Sequence, residues 1–116
     1  MALEKTALVG LHDKSMEKSV QRIFRSLDYT VTAVTDHVHL LSCLTANQYT
    51  WCIMDTNYGQ PNTPTAEPAI QAYKLTKGNF MSLSANDVAI RLALEAGIPA
   101  ISKWDMAAMS NLSSKF

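Results

Sequence analysis

Thr50-Trp51-Cys52-Ile53-Met54-Asp55 decides the fold: an apolar run of strand length that ends on a carboxylate. A strand that is apolar along its whole length is covered on both faces, as in a parallel sheet layered between helices. A carboxylate directly after it is poorly placed for packing. It is well placed for chemistry, because open α/β sheets bind their ligands at the carboxyl edge of their strands. Two further polar residues take the same kind of position downstream. Ser84 follows Asn79-Phe80-Met81-Ser82-Leu83, and Lys103 follows Ala100-Ile101-Ser102. An acid, a hydroxyl and an amine at successive strand ends describe a site.

Outward from this run, strand-like and helix-like patterns alternate. Ala7-Leu8-Val9-Gly10-Leu11 reads as the first strand. Met16, Val20, Ile23, Phe24 and Leu27 then follow the spacing of an amphipathic helix. Tyr29-Thr30-Val31-Thr32-Ala33-Val34 is a β-branched second strand, and 36–46 a second helix with Asp36 as N-cap and Val38, Leu41 and Leu44 turned inward. Thr56 to Pro68, with Gly59, Pro61, Pro64 and Pro68, reads as a loop. A short helix follows through Ala69, Ile70 and Tyr73, stopped by Lys77-Gly78. The helix over 86–96 ends at Gly97 as C-cap. Pro99 opens the fifth strand, and a last helix uses Met106, Met109, Leu112 and Phe116. The expected fold class is α/β: a single five-stranded parallel sheet with helices on both faces, its connections right-handed, spanning 1–116 as one domain.

Composition narrows the partners. Ten basic and ten acidic residues give net charge +0, so no basic field favours nucleic acid, and no polybasic run favours an anionic membrane. Met1-Ala2-Leu3-Glu4-Lys5-Thr6 carries no apolar signal region, and no stretch has the length of a bilayer span. Cys43 and Cys52 lack metal-ligand spacing and read as buried thiols. The expected compartment is the reducing cytoplasm. His37 and His39, two apart on a helix, face different ways and form no metal pair. Trp51 is expected in the core. Trp104 is expected to be exposed after the fifth strand, where an aromatic suits a partner surface.

The order Asp13-Lys14-Ser15-Met16 before the first helix, Asp55 at a strand end, Ser84-Ala85, Leu94-Glu95-Ala96-Gly97 and Ser102-Lys103 resembles a response-regulator receiver domain of the flavodoxin-like fold. The resemblance covers almost the whole chain. It implies phosphoryl transfer from a histidine kinase or histidine phosphotransfer protein onto Asp55. It also implies Ser84 as the hydroxyl that bonds the phosphoryl oxygens, Lys103 as the cation that neutralises them, and the Asn57 carbonyl as a metal ligand. The chemistry is coherent, since phosphoryl transfer is catalysed almost wholly by positioning and electrostatics.

The departures from that family are as informative. Two consecutive acids hold its magnesium ion, and the corresponding positions here are Leu11 and His12. Leucine ligates nothing, and histidine is a softer ligand than magnesium prefers. Asp13 follows at once, so the metal set left by the resemblance is Asp13, Asp55 and Asn57, with weak magnesium binding. Protonated His12 could add a cation in the ion's place. Trp104 stands where the family usually has proline after the lysine, and Ala100 where it often has a switching aromatic. The Ser84–Lys103 interval is also shorter than the resemblance leads one to expect.

Two versions of a two-component role follow. In one, Asp55 is phosphorylated through a weak metal site; the chain is then at most an autocatalytic phosphoacceptor and not an enzyme. In the other it is a pseudo-receiver, a phosphorylation-independent module for protein interaction or dimerisation. Either way a downstream effector domain or a homodimer is the natural output. A haloacid-dehalogenase-like phosphatase would want an acid where Asn57 stands. A flavodoxin-like binder of small molecules would want a glycine-rich cradle where Leu11-His12-Asp13-Lys14 stands.

Overall fold

Strands and helices alternate strictly in the computed structural model, which describes residues 5–60 and 62–116. The reading of the first four residues and of Pro61 lies outside the described residues. In order the elements are β1 (Thr6–Gly10), α1 (Lys14–Ser26), β2 (Thr30–Ala33), α2 (His37–Ala46) and β3 (Trp51–Asp55). They continue with α3 (Glu67–Leu75), β4 (Asn79–Ser84), α4 (Asp87–Glu95), β5 (Ala100–Ser102) and α5 (Met106–Ser114). All pairings are parallel, in the order β2-β1-β3-β4-β5. This is the doubly wound, flavodoxin-like order, with its topological switch point between β1 and β3.

Side-chain alternation sorts the core into two layers. Ala7, Val9, Trp51, Ile53 and Leu83 join Val20 and Phe24 of α1 and Leu112 of α5 on one face. Leu8, Cys52, Met54, Phe80 and Ala100 join Leu40 and Leu44 of α2, Ala69 and Ala72 of α3 and Ala93 of α4 on the other. Helices therefore cover both faces, and the central strand β3 is buried along its whole length. Trp51 is in the core as expected, and the Cys52 thiol, fully buried, is pushed up to about 12 by burial and stays protonated.

Local chemistry explains the boundaries. Asp13 caps α1, Asp36 caps α2 by accepting the His39 N–H, and Asn86 caps α4. Gly97, at φ +77°, closes α4: its N–H reaches the Leu94 carbonyl while Ile98 reaches Ala93 at 2.8 Å. That is the paired bonding of a Schellman end.

Two expectations are corrected. In α2 the buried leucines are Leu40 and Leu44, whereas Val38 is 78 % exposed. In α5 Leu112 is buried, but Met106 is 76 % exposed and turned away from the core.

Gly10 sits under the switch point, and its missing side chain matters. A Cβ there would lie 2.6 Å from a Leu40 methyl and 3.1 Å from the Tyr58 ring. Gly10→Ala is therefore expected to overpack the site from below and cost about 1–3 kcal/mol. Urea unfolding of the variant measures this, with Gly97→Ala as a contrast that strains φ but meets no neighbour.

Candidate functional site

The carboxyl edge of the sheet gathers the ends of β1, β3, β4 and β5. Register places Leu83 opposite Asp55 and Ser102 opposite Ser84, so the strand ends lie side by side. The edge is stitched by main-chain bonds. Thr56 donates to the Leu83 carbonyl and Lys103 to the Ser84 carbonyl, both at 2.9 Å.

Asp55 is 1 % exposed, and both of its oxygens are engaged. The Lys103 ammonium stands 2.5 Å from Oδ1. On the other side, the His12 main-chain N–H donates to Oδ2, and the His12 ring Nδ1 lies 3.2 Å from the same oxygen. Asp55 and His12 thus face each other across the β1/β3 switch point. The acid and the amine named from the sequence are brought into direct contact.

His12 is held on its far side too. The Gly59 N–H donates to Nε2 at 2.8 Å, so that nitrogen is an acceptor and the ring proton sits on Nδ1. The Tyr58 ring lies beside it, centroids 5.2 Å apart, and the Tyr58 hydroxyl donates to the Val34 carbonyl. Burial, opposed by Asp55 and reinforced by Lys103, lowers the His12 pKa below its usual value, so the imidazole is neutral at neutral pH. The expectation of a cationic His12 is corrected: a proton on Nε2 would meet the Gly59 N–H head on.

That shift has a consequence for stability. Below the ordinary histidine value of about 6.5, the unfolded chain takes up a proton at His12 before the folded chain does. Unfolding then binds a proton, stability rises with pH, and acidification removes it at up to about 1.4 kcal/mol per pH unit. The loss stops once the folded His12 is itself protonated. The difference between the pH–stability curves of wild type and His12→Asn isolates this slope from the other histidines.

Ser84 is 2 % exposed, and its hydroxyl accepts the Asn86 N–H at 2.9 Å, tightening the turn into α4. The N-cap itself is Asn86, not Ser84. Among the described residues the Ser84 hydroxyl makes no hydrogen bond to the Asp55 carboxylate or the Lys103 ammonium.

The donors present do not fit a resident magnesium ion. Leu11 is 2 % exposed and belongs to the buried layer under α1 and α5. Asp13 turns away to cap α1, its Oδ1 accepting from Ser15 and Met16 at 2.9 and 3.2 Å. The Asn57 carbonyl accepts the Gln60 N–H, and its side-chain amide donates to the Gln60 and Thr63 carbonyls. The set expected from the sequence, Asp13 with Asp55 and Asn57, is thus engaged in capping, in the Lys103 pair and in a loop turn. Among the described residues no group of three or more His, Cys, Asp or Glu is disposed to hold a metal ion.

Sequence reasoning missed Tyr58 and Gly59, which buttress His12. Both lie in a loop whose path no periodicity predicts. The exposure of Trp104, at 75 %, agrees with expectation and places an aromatic next to Lys103. Among the described residues no helix is long and apolar enough to cross a membrane.

Comparison with known proteins gives the fold a setting. No protein-family model matches the chain, and no curated protein matches it in sequence. Solved structures do match. The signal receiver domain of an HD domain-containing protein from Pseudomonas fluorescens Pf-5 superposes with TM-score 0.75 at 16 % identity, covering 99 % of this chain and 88 % of that one. The receiver domain of a sensor histidine kinase from Pseudomonas aeruginosa PAO1, solved with magnesium ion coordinated in its active site cleft, gives 0.71 at 16 % identity over 97 % of each chain. A co-crystal of a Saccharomyces cerevisiae response-regulator receiver domain with a histidine phosphotransfer signaling protein gives 0.65 at 13 % identity, covering 95 % and 87 %. The chain has the five-stranded receiver fold.

Proposed function

We propose that this chain is a receiver module of two-component phosphorelay signalling. Asp55 is the phosphoryl acceptor, and a histidine kinase or histidine phosphotransfer protein is the donor. The observation that carries the reading is the buried Asp55 carboxylate paired with the Lys103 ammonium at the switch-point edge of the sheet. In the transfer an Asp55 oxygen bonds to phosphorus as the bond to the donor imidazole nitrogen breaks, the electron pair leaving with that nitrogen. Lys103 supplies positive charge to the phosphoryl oxygens. The Ser84 hydroxyl, which accepts from Asn86, still has its own proton to donate to them. Magnesium binds weakly at this edge, because its usual donors are replaced or already engaged. Trp104 and Met106, both about three-quarters exposed and following Lys103 in the chain, offer the donor protein an apolar surface.

A second reading, the phosphorylation-independent interaction module, is favoured by one observation: Asp55 is fully partnered without any ligand.

Incubation with acetyl phosphate and with a phosphorylated histidine phosphotransfer protein, followed by intact mass and peptide mapping, separates the two. A base-labile acyl phosphate at Asp55, missing from Asp55→Asn, is the expected result. No adduct under any condition, magnesium included, leaves the interaction module standing instead.

A further inference from the structure

Asp55 already has, from its own chain, the contacts a cation would give it. Two donors of one residue meet at Oδ2, the His12 main-chain N–H and ring Nδ1. The same ring is pinned behind by Gly59 and beside by Tyr58, so it cannot rotate without giving up a bond. Among the described residues Lys103 alone holds Oδ1. We propose that the His12 imidazole stands in the place of the metal ion: it positions Asp55 through Oδ2 and leaves Oδ1 as the attacking oxygen, so that phosphorylation needs no divalent cation. This rests on the reading of Asp55 as phosphoacceptor.

The asymmetry of the two oxygens is the core of the argument. Oδ2 is held by rigid donors, a peptide N–H and a ring fixed at both nitrogens. Oδ1 is held by an ammonium on a flexible four-carbon stem with three donors, which can turn toward an incoming phosphoryl group without releasing Asp55 altogether. Charge agrees as well. The Asp55 carboxylate and the Lys103 ammonium pair directly, so there is no surplus of acid between them for a cation to screen. His12 also joins the end of β1 to the loop after β3, since one ring contacts both Asp55 and Gly59. It is a positioning residue, acting through Asp55. With acetyl phosphate the step balances without any further reactant: the Oδ1–phosphorus bond forms, the phosphorus–oxygen bond to the acetyl group breaks, and the electron pair leaves as acetate.

The test is the rate of acyl-phosphate formation at Asp55 with acetyl phosphate, in excess EDTA and in millimolar magnesium. It is run for wild type, His12→Ala and His12→Asn. The asparagine keeps a side-chain N–H near the Nδ1 position. Wild type is expected to react at the same rate with and without magnesium. His12→Ala is expected to lose about a hundredfold in EDTA, the scale of a misplaced reacting group, and His12→Asn to recover most of it. Wild-type reaction that requires magnesium overturns the inference while leaving the phosphoacceptor reading intact. An equal loss in both variants also overturns it, by reducing His12 to a packing role. No adduct under any condition overturns both. If His12→Ala fails to fold, the EDTA arm and His12→Asn still decide.

Discussion

Lys103→Met is expected to destabilise the fold by about 3 kcal/mol, the lower end of what breaking a buried ion pair costs. The reason lies with the partner left behind. Asp55 is 1 % exposed, and without the ammonium its Oδ1 faces neither water nor cation. The two His12 donors on Oδ2 keep the figure from rising further. For a chain of this length that is a fall in midpoint temperature of roughly 10 °C. Adding Asp55→Asn to Lys103→Met should return most of the loss. The double variant buries no unpaired charge, and the asparagine carbonyl still accepts from His12. Urea unfolding of wild type, both single variants and the double variant gives the coupling energy directly. A single-variant cost below about 1 kcal/mol would assign the pair to the weak, solvated class of surface bridges.

The same pair shows what the sequence made legible. Asp55, Ser84 and Lys103 stood out because a strand covered on both faces has no packing use for a polar residue, so its end is visible in one dimension. Parallel neighbours and right-handed connections follow from the short crossovers, whereas the observed order β2-β1-β3-β4-β5 is what the receiver resemblance implies. Helix phase was harder. His37-Val38-His39-Leu40-Leu41 offers two competing apolar stripes, and only the space beside Gly10 and Met54 selects Leu40 over Val38. Asp13, a metal ligand by resemblance, stands directly before α1, and its bonds to the Ser15 and Met16 N–H groups make it the N-cap. The bond from Gly59 to His12 spans forty-seven residues and depends on a loop path, so no local pattern encodes it. What the sequence could not say is how each lone pair at the site is used, and that decides whether a metal has anywhere to bind.

Restoring the acids tests that accounting. Leu11→Asp with His12→Asp is expected to raise magnesium affinity at least tenfold, and to make the fold depend on the ion. Leu11 is 2 % exposed within an apolar layer, so a carboxylate there forfeits packing and desolvates a charge, a cost of at least about 3 kcal/mol. His12→Asp removes the ring from Oδ2 and sets a second acid beside Asp55. Three carboxylates would then face one ammonium, and their mutual repulsion is what a divalent cation relieves. At a hundred times its dissociation constant, magnesium should return about 2.7 kcal/mol. The wild-type midpoint should not move, because its Asp55 is already satisfied by Lys103 and His12. Thermal unfolding in EDTA and in a magnesium series measures both arms. His12→Asp alone spares the Leu11 packing and should show a smaller magnesium response in the Asp55 and Gly59 amide shifts. If neither variant responds to magnesium, the absent acid pair is not what keeps the ion out, and the obstacle is the closed geometry of the edge itself.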